Sequence, residues 1–199
     1  MTATEGVRKY PQSVKVGSSK VTLRDMTPGD KAGILAFARA MPHHDLLFLR
    51  RDITQEVEVD AWVADTQSGI MTTVIAQQGA EIVGYGTMHR NDLSWSAHVA
   101  ELRVSVAPMM RGKGLGRILT QEVFAIALGS GVEKMVAQMT LDQKGAIATF
   151  EGMGFRPEAL LRDHVKDRDG NKHDLLVLSH EVARFEAQRA AYGVTGAFS

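Results

Sequence analysis

The sequence predicts a mixed α/β (α+β) domain, and three observations carry that prediction. Apolar residues recur at helical spacing in some segments and alternate as in strands in others. The segment 98–139 reads strand, helix, strand, the pattern of a parallel crossover. Two glycine turns, Gln78-Gly79 and Asp169-Gly170, each lie between alternating runs and mark antiparallel hairpins.

Taken in order, residues 1–19 read as an N-terminal tail, loose over 1–12. Gly17-Ser18-Ser19 breaks the alternation across 14–24, so the first strand is expected near 20–25. Thr27-Pro28-Gly29-Asp30 starts a helix, with Thr27 as cap and Pro28 at the first position. Ile34, Leu35, Ala38 and Met41 continue it, and Pro42 ends it. Residues 43–51 form a connector holding His43-His44 and Arg50-Arg51. Thr54-Gln55-Glu56 opens a second helix that carries Val59, Trp62 and Val63 on one side. Strands follow at 72–76, 82–88 and 98–106. Leu115, Ile118, Leu119, Val123 and Ile126 fall on one face of the clearest helix, 114–128, and Gly129-Ser130-Gly131 stops it. A strand at 134–139, a helix at 144–153 and strands at 160–166 and 172–179 complete the domain, 20–180. An amphipathic helix over 180–192 is expected in a C-terminal segment, 181–199.

The 199 residues suit one domain with a short appendage. Hydrophobic residues at 44% and charged residues at 23% argue against a disordered chain. Basic and acidic residues number 23 each, so the formal charge is zero and nucleic acid or an anionic membrane is not an expected partner. Cysteine is absent, which removes disulfides, Cys-based metal sites and thiol nucleophiles together. The first ten residues lack the apolar core of a secretory leader, and no apolar run reaches membrane-spanning length. A cytoplasmic protein is expected.

The informative stretch is Val104-Ser105-Val106-Ala107-Pro108-Met109-Met110-Arg111-Gly112-Lys113-Gly114-Leu115-Gly116-Arg117. A strand runs into a glycine-rich turn that opens a long helix. Three glycines in five residues allow a tight turn and close approach of a ligand. The first amides of the helix lack internal partners and sit at the positive end of its dipole, a place suited to a diphosphate. A P-loop fails for want of Gly-Lys followed by Ser or Thr, and a dinucleotide loop fails because Arg117 stands where the last glycine belongs. The pattern Arg-x-x-Gly-x-Gly fits at Arg111, Gly114 and Gly116.

On these residues the chain resembles the GNAT superfamily of acyl-CoA N-acyltransferases. A later family pattern aligns with Gln143, Ala146, Phe150, Glu151, Gly154 and Phe155, with Gln143 replacing Asn and Phe150 replacing Tyr. The resemblance covers about 20–180 and is strong over about 98–155. It implies a single domain whose mixed central sheet, flanked by helices, contains a splayed parallel strand pair, here 98–106 and 134–139. Pantetheine would lie in the gap against the backbone of Val104, Ser105 and Val106. The diphosphate would rest on the amides of Arg111, Gly112, Lys113, Gly114, Leu115, Gly116 and Arg117, with charge from Lys113 and Arg117. Gln143 and Phe150 would border the donor. The implied donor is acetyl-CoA, with no metal. The acceptor would be a small-molecule or protein amine, and a homodimer is compatible with the family.

Acyl transfer needs a neutral amine. At pH 7 an amine of pKa near 10.4 costs about 4–5 kcal/mol to deprotonate, whereas releasing a thiol of pKa near 8.5 as thiolate costs only about 2 kcal/mol. Loss of a base therefore hurts more than loss of an acid, and Phe150 at the usual tyrosine position does not exclude catalysis. Glu101 is the candidate base, and its alternative role is a salt-bridge partner for Arg103. His98 is a second base candidate and Tyr85 a substitute acid. A backbone amide near Val104–Val106 would meet the oxyanion. His164 and His173 with Asp163, Asp169 and Asp174 lack compact ligand spacing, so no metal is expected. Arg50-Arg51 suits a solvated turn better than an acidic acceptor. The rival readings are a non-catalytic acyl-CoA-binding module and an interaction domain whose glycine loop holds nothing.

Overall fold

A computed structural model of the chain describes residues 9–46, 49, 51–90, 95–167 and 169–183. Its strands are Gln12–Val16 (β1), Ser19–Asp25 (β2), Met71–Gln78 (β3), Glu81–Arg90 (β4), Val99–Val106 (β5), Lys134–Thr140 (β6), Arg156–Lys166 (β7) and Lys172–Glu181 (β8). Its helices are Lys31–Ala40 (α1), Glu56–Gln67 (α2), Leu115–Gly129 (α3) and Lys144–Gly152 (α4). The strands form one mixed sheet in the order β1-β2-β3-β4-β5-β6-β8-β7. Every pairing is antiparallel except β5 with β6. The single-domain α/β architecture expected from the sequence is therefore present.

The N-terminal expectation needs correction. Gly17 does not merely interrupt a strand: its φ of 59° turns the chain back, and β1 pairs with β2 from Gln12↔Leu23 to Val16↔Ser19. Part of the expected tail, 1–19, is thus a strand of the sheet, and Val16 is buried in the core. At the other end, His180 and Glu181 close β8, where a helix over 180–192 was expected. Residues 184–199 of that segment lie outside the described residues, as do residues 1–8 of the tail.

The first helix begins as its sequence foretells. Asp30 accepts hydrogen bonds from the Thr27 amide (2.7 Å) and hydroxyl (3.0 Å), and Pro28 occupies the first position. Arg24 clamps the same carboxylate from β2, with Nη1 and Nη2 at 2.8 and 2.5 Å. That tie anchors the start of α1 to the sheet.

The two sheet faces bury different partners. On one, Ala100 and Leu102 of β5 and Met135, Ala137 and Met139 of β6 pack with Val123, Phe124 and Ala127 of α3 and Phe150 of α4. On the other, Ile75 and Tyr85 pack with Ile34 and Phe37 of α1 and Trp62 of α2. The close fit of α3 to β4 depends on Gly86, where a Cβ would come within 2.7 Å of Val123 Cγ1 and 3.3 Å of the Leu119 carbonyl. This contact aims the N-terminus of α3 at the end of β5.

Candidate active site

The splayed pair is visible in the register. β5 meets β6 only at Val99↔Lys134, Ala100↔Met135 and Glu101↔Val136. β5 continues to Val106 paired with β4 alone, and β6 continues to Thr140 paired with β8 alone. A gap therefore opens beyond Glu101 and Val136.

Ladder alternation decides which backbone groups line that gap. The Ala107 amide donates to the Val83 carbonyl (2.9 Å), which sets the β4–β5 phase. In an antiparallel ladder the hydrogen-bonded residues alternate. Glu101, Arg103 and Ser105 accordingly turn their backbone groups to β4, while Leu102, Val104 and Val106 turn theirs toward β6. Lys134 donating to the His98 carbonyl at 3.2 Å agrees with that phase. Val104 thus offers its amide and carbonyl to the gap and Val106 its amide, the Val106 carbonyl already accepting Arg111 Nε, whereas Ser105 turns its side chain to the sheet face away from α3.

The glycine turn lies at the mouth. Gly112 (φ 69°) and Gly114 (φ 94°) both adopt the left-handed conformation that favours glycine. Chain neighbours aside, a Cβ on either would meet no described residue within 4 Å, so the space beside the turn is open. The Ile118 amide makes the first helical bond, to Gly114. Among the described residues the amides of Gly112, Lys113, Gly114, Leu115, Gly116 and Arg117 make no well-formed backbone hydrogen bond. Arg111 differs from its expected role: its amide donates to Pro108 (3.2 Å), closing a single 3₁₀ turn. The Arg111 side chain donates from Nη2 to Asp45 (2.6 Å) and from Nε to the Val106 carbonyl (3.4 Å). The Lys113 and Arg117 side chains are exposed and form no ion pair among the described residues.

Asp45 belongs to a short 3₁₀ turn, His43–Leu46, within the expected connector. Neighbouring His44 reaches Asp142 after β6, Nε2 to Oδ2 at 2.6 Å, and stacks edge-on to His173 at 5.6 Å. The connector is thus tied to the ends of both diverging strands. Burial raises the Asp142 pKa, but the neighbouring Thr140 side chain and the His44 hydrogen bond outweigh it and hold the carboxyl below its usual range. Arg51 pairs with Asp65 of α2 at 2.6 Å, and Arg50 lies outside the described residues. His173 bonds Asp167 at 2.9 Å. Among the described residues, no three His, Asp or Glu side chains converge on a metal-sized site.

Glu101 is the last residue of β5 paired with β6, at the apex of the gap. Its side chain is 7% exposed and accepts Arg103 Nε at 2.7 Å and Nη2 at 2.5 Å. The salt-bridge role weighed from the sequence is present, and it leaves the carboxylate facing away from α3. His98 stands before β5, not in it, in an exposed turn that accepts the Glu133 and Lys134 amides. It lies at the closed end of the pair. Tyr85 is buried against Phe37 and Trp62, with ring centroids 5.7 and 4.8 Å away. Burial pushes its hydroxyl up to about 12, against smaller lowering effects from Arg103 and from Ser105 directly across the ladder. Phe150 packs edge-on to Phe155 at 5.0 Å, inside the core. Gln143 caps α4 through its carbonyl, which accepts the Ala146 and Ile147 amides.

Sequence reasoning missed the role of the connector. Asp45 and His44 meet Arg111 and Asp142 across 66 and 98 residues, and no local spacing announces such contacts. Arg103 entered only as a partner for Glu101, although its i, i+2 spacing could have placed it on the same face.

Comparison with known proteins agrees with this geometry. The family model described as Acetyltransferase (GNAT) family matches residues 38–155. A Bacillus subtilis (strain 168) protein provisionally named a phosphinothricin acetyltransferase is 31% identical over 84 residues, 42% of this chain and 51% of the relative. The chain thus aligns with about half the length of that curated relative. The ribosomal-protein-alanine N-acetyltransferase of Brucella melitensis superposes with TM-score 0.70 at 22% identity, over 80% of this chain and 99% of that one. A GNAT superfamily phosphinothricin acetyltransferase from Sinorhizobium meliloti, solved in complex with AcCoA, gives 0.69 at 20%, over 81% and 88%. At these identities the likeness to solved structures is one of fold. The matched residues 38–155 take in the divergent strands and the amide-rich turn between them, and with that match the chain belongs to the GNAT acetyltransferase family.

Proposed function

We propose that the protein is an acetyl-CoA-dependent N-acetyltransferase that acetylates a primary amine by direct attack. The observation that carries this reading is the early end of β5–β6 pairing at Glu101↔Val136, beside a turn of open amides. Pantetheine would add to the free edge of β5 through Val104 and Val106, as a peptide adds to a sheet edge. The amides of Gly112, Lys113, Gly114, Leu115, Gly116 and Arg117 would hold the diphosphate, with Lys113 and Arg117 adding charge. The Arg111 amide is left out of this assignment.

The amine nitrogen attacks the thioester carbon; the C–N bond forms and the C–S bond breaks. Glu101 takes the amine proton, directly or through water. A gap-facing amide of Val104 or Val106 meets the oxyanion. The thiolate takes a proton from water. Tyr85, with its hydroxyl near 12, would give a proton to a thiolate of pKa about 8.5 only uphill by roughly 4–5 kcal/mol, so it is a poor acid. We place the enzyme in the cytoplasm, and no helix among the described residues is long and apolar enough to cross a membrane.

One observation favours a second reading. Phe150 is sealed in the core and brings no hydroxyl to the gap, as would suit a non-catalytic acyl-CoA-binding module. Two measurements decide: calorimetry with acetyl-CoA, and thiol release across an amine panel. The enzyme reading expects saturable binding and amine-dependent release, with Glu101→Gln lowering turnover by roughly a hundredfold or more while binding persists. Binding without release for any amine supports the module instead.

A further inference from the structure

The sheet face turned away from α3 carries a polar row that the fold does not require. Tyr85↔Ser105, Thr87↔Arg103 and His89↔Glu101 are directly opposed on β4 and β5. Strand alternation puts those side chains on one face, and the Glu101–Arg103 hydrogen bond runs along it. On the reverse face of the same strand, Ala100 and Leu102 pack into an apolar core.

Arg103 is the unusual member. Its side chain is only 18% exposed and that of Glu101 only 7%. Taking two charges this far out of water costs several kcal/mol per ion, and apolar residues would join the strands as well without that cost. The pair is better explained by a ligand than by stability.

The bonding pattern indicates what ligand. Arg103 spends Nε and Nη2 on a single oxygen, Glu101 Oε1. Among the described residues Nη1 has no partner, and it is not one of the fully buried polar atoms left unsatisfied. A guanidinium presents its donors in a plane and matches a carboxylate or similar oxyanion through paired bonds. A carboxylate and a guanidinium therefore stand side by side at the apex of the gap. A simple ammonium would meet repulsion from Arg103 as it neared Glu101. An amine with an acidic group on a neighbouring carbon meets a partner for each charge.

We propose that Arg103 is a specificity-determining residue that reads an acidic group on the acceptor, so that the preferred substrate is a small amine bearing a carboxylate or comparable oxyanion. The inference rests on the N-acetyltransferase reading above and narrows its acceptor.

The test compares substrates on the unaltered enzyme first. Thiol release from acetyl-CoA is measured with α-amino acids, each paired with its amide and its decarboxylated amine. The acid is expected to exceed both partners in kcat/KM by at least about tenfold, the loss expected when a charged hydrogen bond goes unmade. Arg103→Gln should erase that preference by raising KM for the acids, with the KM for acetyl-CoA unchanged. Arg103→Lys, which keeps the charge but not the fork, should restore part of it. Equal use of acids, amides and decarboxylated amines overturns the proposal, as does an Arg103→Gln variant that loses all three equally. Absence of release from every amine, with acetyl-CoA still bound, overturns the N-acetyltransferase reading and this one with it.

Discussion

Replacing Gly114 by alanine separates a ligand-binding turn from a merely tight one. Gly114 caps α3 at φ 94°, ψ −5°. A residue with a Cβ costs about 1–2 kcal/mol there. Chain neighbours and the helix's own backbone aside, no described residue lies within 4 Å of the added methyl, so no packing clash joins the backbone cost. Gly131, past the other end of α3, has φ 75° and equally open surroundings. The helix of 15 residues separates the two sites by roughly 22 Å. Both alanine variants should therefore lose about 1–2 kcal/mol, a fall in Tm of roughly 2–8 °C. Only Gly114→Ala falls among the amides proposed to hold the diphosphate, where it would tilt them. Calorimetric affinity for CoA should drop at least about tenfold in Gly114→Ala, equivalent to about 1.4 kcal/mol, and stay unchanged in Gly131→Ala. Unchanged affinity in Gly114→Ala, or an equal loss in both variants, refutes the assignment of this turn.

Three further outcomes follow from contacts elsewhere. Asp45→Asn frees Arg111 from its internal carboxylate, so affinity for CoA should rise several-fold at low ionic strength, with the gain shrinking as salt is added; a titration over a salt series reads it. Asp30→Asn breaks a largely buried tie to Arg24 and should destabilise the fold by about 3 kcal/mol in urea denaturation. The Arg24 hydrogen bonds hold the Asp30 carboxyl below 3.8, outweighing burial, and the Thr27 groups add to this. A folded-state pKa depressed in this way contributes stability above 3.8 that is lost as pH falls below it, so the parent's advantage over Asp30→Asn should shrink on acidification. Gly86→Ala drives a methyl into Val123 and toward the Leu119 carbonyl, and should cost about 1–3 kcal/mol in the same denaturation assay by lifting α3 from β4.

Most of the local elements were legible because their causes are local. Thr27-Pro28 starts α1, the Leu115–Val123 spacing marks α3, and the glycine turns close the two hairpins. β1 escaped because Gly17-Ser18-Ser19 signals a break equally well whether the chain wanders off or turns back to pair. The helix expected over 180–192 began too early because His180 and Glu181 complete the β6–β8 ladder, and pairing across some 45 residues overrides helical spacing. Glu101 was singled out from its place ahead of the glycine turn, but its neighbour Arg103 gained meaning only from burial.

The amino-acid order by itself determined the turn of amides at the head of α3, because backbone freedom at Gly112 and Gly114 and unpaired helix-start amides are properties of the local chain. It also determined the alternation that puts Val104 and Val106 on one backbone phase. Only the tertiary structure decided where β5 and β6 part company, which strand groups face the gap, and that a connector carrying His44 and Asp45 is tied to both sides of it. Those outcomes depend on strand register and on contacts between residues far apart in sequence, and such long-range geometry is a property of the whole packed sheet rather than of any segment within it.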